Sequence, residues 1–173
     1  MTMRRLLLFR HAKAERSEPG MEDRSRKLIE RGRKDAARIG AYMASHALIP
    51  DRVMTSPSAR TQETWKFAAT AFRPEPAGTA VERLYDATPH DILEVIKQAP
   101  ANAHTLLIVG HNPGLHEVAV EILIDAAASA AEVEPVAARF PTATAAVYAI
   151  DAAGRARLDG LYLARELGGE GDG

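Results

Sequence analysis

Leu6-Leu7-Leu8-Phe9 is an unbroken apolar run set between Arg4-Arg5 and Arg10-His11. A run this short suits a strand covered on both faces. Residues 12–28 are polar, and Pro19-Gly20 marks a loop. From about Glu30 to His46, Ala36, Ala37, Ile39, Gly40 and Met43 recur at the spacing of an amphipathic helix, which Pro50-Asp51 closes. Arg52 to Thr55 is a second strand candidate. Ser56-Pro57 predicts a helix start, with Ser56 as cap, running to about Phe72. Pro74, Pro76 and Gly78 mark a loop, Ala80 to Leu84 is a weak third strand, and Thr88-Pro89 opens a helix over Asp91 to Gln98 with Asp91 as capping partner.

Thr105 to Val109 is apolar almost throughout and predicts a further buried strand. Gly110-His111-Asn112-Pro113-Gly114 is a sharp turn, followed by a helix to about Ala128. The alanine-rich stretch 126–138 reads as a helix extension or linker. Thr144 to Ile150 and Ala156 to Leu163 flank a turn at Asp151–Gly154, which predicts a hairpin. Strand and helix candidates alternate nearly to the end. They predict an α/β three-layer sandwich with a mostly parallel central sheet and an antiparallel edge. No internal repeat or domain linker interrupts the pattern, so residues 1–173 read as one domain with a loose tail at 168–173.

Composition narrows the class. The chain is 46% hydrophobic and 26% charged, enough for a core and a wet surface, and unlike a disordered, collagenous or disulfide-built chain. It has no cysteine, which excludes thiolate catalysis, Cys-ligated zinc and iron–sulfur clusters, and makes a cytoplasmic setting the default. No apolar run is long enough to span a bilayer, and the N-terminal run lacks the length and cleavage site of a signal peptide. Net charge is −1, yet residues 1–40 carry 12 Lys and Arg against 6 Asp and Glu, while residues 41–173 carry 10 against 17. The basic residues interleave with acids and aromatics are scarce, which favours a local anion site over a nucleic-acid arm.

Ligands of an open parallel sheet lie beyond the carboxyl ends of its strands. There the sequence places Arg10-His11, then Ser56-Pro57-Ser58-Ala59-Arg60, then Gly110-His111-Asn112. Two guanidiniums offer forks matched to a phosphate dianion, one imidazole can attack phosphorus, and the other can donate to the charge on the oxygens. The sequence contains no phosphate-binding glycine loop and no H-E-x-x-H pair, and carboxylates at strand ends are too sparse for a two-metal site. Covalent phosphoryl transfer through histidine, without metal or cofactor, is the chemistry that remains.

Leu8-Phe9-Arg10-His11-Ala12 resembles the Arg-His-Gly signature of the histidine phosphatase superfamily. Ser56 through Thr64 resembles its second arginine motif, and Val109-Gly110-His111-Asn112-Pro113 its second histidine motif. The stretch Glu30 to Ala36, Leu84-Tyr85-Asp86-Ala87 and the phrase Gly110 to Gly114 look most like the small SixA-type phosphohistidine phosphatases. The likeness covers residues 4 to about 162. It implies a phosphoglycerate mutase-like fold, His11 as nucleophile, and Arg10, Arg60 and His111 around the phosphate oxygens. Ala12 stands where the family has glycine, and its methyl is expected to crowd the backbone beside the phosphate.

The remaining expectations concern substrate. Arg24, Arg26, Lys27, Ser17, Asn112 and Thr142 are candidate substrate contacts. Lys13 and Glu15 stay unassigned. Asp86 and Glu82 are the candidate proton donors. An imidazole leaving a phosphohistidine is less basic than an alkoxide, so a weak or missing acid favours phosphohistidine on a protein, such as a histidine phosphotransfer domain. The alternatives are a phosphatase for a small phosphoester and a phosphate-binding module without activity. Arg10 and Arg60 are expected to lower the His11 pKa. His46, His90, His104 and His116 read as surface or capping residues, and Trp65 as core. A monomer or weak dimer is expected, with no nucleic acid or membrane partner.

Overall fold

A computed structural model describes residues 3–168. Among these the elements run β1 (Arg5–Arg10), α1 (Glu30–Ser45), β2 (Arg52–Thr55), α2 (Ala59–Ala69), β3 (Gly78–Ala80), α3 (Pro89–Lys97), β4 (Thr105–Gly110), α4 (Gly114–Asp125), α5 (Ala130–Ala138), β5 (Thr144–Ile150) and β6 (Ala156–Leu163). Short 3-10 turns occupy Asp23–Ser25, Glu82–Leu84 and Ala164–Leu167. Most of the expected tail, 169–173, lies outside the described residues.

The strands form one sheet in the order β3-β2-β4-β1-β5-β6. β1, β2, β3 and β4 are parallel, β5 is antiparallel to β1, and β6 is antiparallel to β5. This is the mostly parallel α/β sandwich with an antiparallel edge that the alternation of elements predicts. Period-two alternation sorts each central strand between two cores. Leu7, Phe9, Leu107 and Val109 point to the layer that holds Ile39 and Met43 of α1 and Trp65 and Ala68 of α2. Leu6, Leu8, Leu106 and Ile108 point to the layer that holds Ile92 of α3, Leu115 and Leu123 of α4 and Val136 of α5.

Parallel register carries the functional consequence. Arg10 pairs with Gly110, and Thr55 with Val109. Three strands therefore end side by side, and the residues that follow them, His11, Ser56 and His111, emerge along one edge. Backbone bonds continue past the strands to fix them: His11 N–H donates to the Gly110 carbonyl at 3.1 Å, and Ser56 N–H to that of Val109 at 3.1 Å.

Several boundaries differ from expectation. The third strand is Gly78–Ala80, and Glu82–Leu84 coils into a 3-10 turn that buries Leu84. Val81 N–H still reaches the Thr55 carbonyl at 2.8 Å, so pairing stops where the chain must turn Leu84 inward. α2 is capped by Ser58, whose side chain accepts from Thr61 N–H, and Ser56 is released for another contact. The alanine-rich stretch is an independent helix, α5, opened by a capping box between Ser129 and Glu132. Thr88 and Asp91 form the same device at α3. Ala12 is fully buried within the core beneath α1 and α2, so its methyl packs inward rather than crowding a phosphate.

α1 and α2 approach closely at Gly40, where an added Cβ would lie 2.1 Å from the Ala68 carbonyl oxygen. We expect Gly40→Ala to cost ~1–3 kcal/mol, because neither backbone can yield without disturbing the core. Urea denaturation would show this as a lower midpoint at unchanged slope. An unaltered midpoint would contradict the close packing.

Candidate active site

His11 and His111 face each other across a cavity of about 360 Å³ that is also lined by Arg10, Lys13, Glu15, Arg16, Asp23, Arg26, Arg60, Tyr85, Asp86, Asn112 and Thr142. Their ring centroids are 5.4 Å apart. The four side chains that the sequence places on three separate segments, Arg10 and His11, Arg60, and His111, thus share one pocket at the carboxyl edge of the sheet.

His11 Nδ1 lies 2.7 Å from the Ala12 carbonyl oxygen. A carbonyl only accepts, so Nδ1 carries the proton and the lone pair resides on Nε2. The ring holds a pKa lowered to about 3, first by burial, against the raising effect of the Ala12 bond, and further by His111, Arg10 and Arg60. The arginines act as expected, but desolvation is the larger cause. His111 is lowered to about 4, again by burial first and then by Arg60. Its Nε2 pairs with Ser56 Oγ at 2.7 Å, while Nδ1 is buried without a hydrogen-bond partner among the described residues. Both imidazoles are therefore neutral at physiological pH, one able to attack and the other able to donate.

Both arginines are held by hydrogen-bond acceptors of the protein. Arg10 donates to the Phe140 carbonyl at 3.0 Å, and Asn112 Nδ2 donates to the same oxygen at 2.9 Å. Asn112 therefore has a structural bond as well as a place in the lining. Arg60 is nearly buried at the start of α2 and donates to the Asp23 carbonyl at 2.9 Å and to Asp23 Oδ2 at 3.1 Å. Arg26 donates from Nε to Asp23 Oδ1 at 3.0 Å and from Nη1 to the Glu15 carbonyl at 2.8 Å. Tyr85 O–H also donates to Asp23 Oδ2. The Tyr85 bond, followed by those from Arg60 and Arg26, holds the Asp23 carboxyl at about 2.

Other candidates divide. Arg26, Thr142 and Asp86 line the cavity, and Asp86 adopts a left-handed backbone, φ 52°. Arg24 does not line it: its guanidinium stacks 4.2 Å over the Tyr85 ring and pairs with Glu82. Glu82 is exposed, ion-paired, held below the usual carboxylate range by Arg24, and outside the cavity lining. Ser17 and Lys27 are exposed and outside the lining; Lys27 offers its backbone N–H to Glu15 Oε2 at 3.0 Å. Lys13 and Glu15 do line the pocket. Asp23, Arg16, Ser56 and Phe140 have places here that sequence reasoning did not assign. The Leu84–Ala87 phrase carries Tyr85, but nothing local marks Asp23 as its partner. His46 is exposed, His116 bonds the Val136 carbonyl at 2.7 Å, and Trp65 is core, as expected.

Among the described residues, no group of three or more His, Asp or Glu side chains is arranged to hold a metal ion, and no helix is long and apolar enough to cross a membrane. Comparison with known proteins matches residues 6–86 to the family model of the histidine phosphatase superfamily, branch 1. The uncharacterized protein Rv1276c of Mycobacterium tuberculosis is 34% identical over 139 residues, spanning 80% of this chain and 85% of that protein. A solved structure assigned as the phosphohistidine phosphatase SixA of Agrobacterium tumefaciens superposes with TM-score 0.79 at 27% identity, covering 92% of this chain and 97% of that one. One assigned the same way from Nakamurella multipartitia gives 0.76 at 26%, covering 92% and 95%.

The two lowered imidazole values give a signed pH effect. Between the ordinary 6.5 and about 4, the unfolded chain binds protons at these histidines that the folded chain does not. Stability must therefore fall as pH drops through that window. We expect histidine NMR titration to place the midpoints at about 3 for His11 and about 4 for His111. Midpoints near 6.5 would show that the rings are solvated and charged at mild acidity.

Proposed function

The chain belongs to the histidine phosphatase superfamily, and on that premise we propose that it removes phosphate from phosphohistidine on a protein, through a phosphorylated His11. The observation that carries this is the pair of neutral imidazoles facing across a cavity lined by Arg10 and Arg60. In the first step His11 Nε2 forms a bond to phosphorus as the substrate P–N bond breaks. The electron pair leaves with the substrate imidazole, which departs neutral when its other nitrogen is protonated. Arg10, Arg60 and His111 Nδ1 stabilise the equatorial oxygens. Water then attacks phospho-His11, inorganic phosphate departs with the water proton, and the neutral ring returns.

Support for a P–N substrate comes from the carboxylates. Glu82 is turned outward onto Arg24, and Asp23 is held ionised at about 2. Asp86 is the one proposed donor that lines the cavity. An alkoxide leaving group demands a proton in the transition state, whereas an imidazole does so far less. The likeness to chains assigned as SixA points the same way. The natural partner is then a phosphorylated protein such as a histidine phosphotransfer domain, and the cysteine-free chain supports a cytoplasmic setting.

A substrate panel tests this directly: phosphohistidine proteins beside phosphoserine and simple alkyl phosphates. We expect phosphohistidine to be turned over fastest, His11→Ala to abolish release of phosphate, and Arg60→Ala to slow it by ~10²–10³. Faster hydrolysis of alkyl phosphates would instead identify a small-molecule phosphomonoesterase. Phosphate binding without any turnover would identify a binding module.

A further inference from the structure

Asp23 is one of three carboxylates, with Glu15 and Asp86, that line the pocket beside its cations, and its partners explain its presence. Arg60 reaches it end-on, through Nη1 to the carbonyl and Nη2 to Oδ2. That geometry uses the tip of the guanidinium and leaves Nε, which is buried and has no hydrogen-bond partner among the described residues. Arg26 braces the opposite oxygen, Oδ1, and is itself tied to the Glu15 carbonyl. Tyr85 O–H also donates to Oδ2, and its ring stands T-shaped to that of His111 with centroids 5.7 Å apart. A carboxylate receiving donors at both oxygens, and kept at about 2, neither gives nor takes a proton near neutral pH. Its remaining capacity is to hold other groups in place.

We infer that Asp23 is a positioning residue: it clamps the tip of Arg60 so that the Nε edge of the guanidinium is presented to the phosphate. This rests on the phosphatase reading for the identity of the anion, though not for the clamp itself. A guanidinium is a rigid planar fork, so fixing two of its nitrogens fixes the direction of the third. The orientation would otherwise cost the substrate side-chain entropy at each binding event. The clamp also joins three distant parts of the chain, the 3-10 turn at Asp23–Ser25, the start of α2 and Tyr85.

Inorganic phosphate binding, measured by calorimetry on the intact chain, tests the clamp without requiring turnover. We expect Asp23→Ala to weaken phosphate binding ~10-fold, the scale of one charge-assisted contact. Asp23→Asn, which retains one acceptor oxygen, should lose less, and Asp23→Glu should recover part of the wild-type affinity. In an Arg60→Ala background, Asp23→Ala should change affinity by no more than ~2-fold, because a residue acting through Arg60 has nothing left to act on. Losses that add in the double variant would overturn the proposal. So would tighter phosphate binding by Asp23→Asn or Asp23→Ala, since that would make Asp23 a competing anion. Should Asp23→Ala fail to fold, the Asn and Glu variants decide the same point. Phosphate binding without hydrolysis by the wild type would overturn the phosphatase reading and leave the clamp testable, whereas no phosphate binding by the wild type would overturn both.

Discussion

The hydrogen bond from His11 Nδ1 to the Ala12 carbonyl is the contact on which the site depends. It decides the tautomer, and the tautomer decides which nitrogen can attack. Burial reinforces the choice by disfavouring the imidazolium, so the lone pair on Nε2 is available without a neighbouring base. The cost is a polar ring held away from water, tolerable because its one donor is satisfied locally.

That bond has value only because the sheet brings the other groups within reach. Parallel pairing of β1 with β4 and of β4 with β2 aligns three strand ends, and the chain leaves each end with a histidine or serine. Ser56 Oγ then occupies one nitrogen of His111. The Phe140 carbonyl, just before β5, orients Arg10 and Asn112 together. The antiparallel edge thus contributes to the site through the segment that leads into it. Backbone carbonyls hold His11 and Arg10, and the carbonyl and carboxylate of Asp23 hold Arg60.

Arg10, His11 and His111 were legible in the sequence because each follows an apolar run that could only be a buried strand. The fold class was legible for the same reason. Arg60 was reachable through its distance from a helix start, even though the cap proved to be Ser58 rather than Ser56. The third strand misled because Val81 and Leu84 dominate the pattern of a stretch whose pairing residues, Gly78 to Ala80, are small and exposed. Arg24 and Glu82 were misplaced because a cation near a nucleophile and an acid near a tyrosine give no sign that they pair with each other. Asp23 was missed for a related reason. Beyond Arg26 three residues on, its partners lie 37 and 62 residues away, at Arg60 and Tyr85, and no periodicity or turn signal encodes such contacts.

The most direct measurement of the central claim is mass mapping of the intact enzyme, quenched under alkaline conditions within milliseconds of mixing with a phosphohistidine protein. A phosphoryl group on His11, appearing before inorganic phosphate and decaying as it accumulates, is the expected result. Release of phosphate at full rate with His11 never modified would contradict the account.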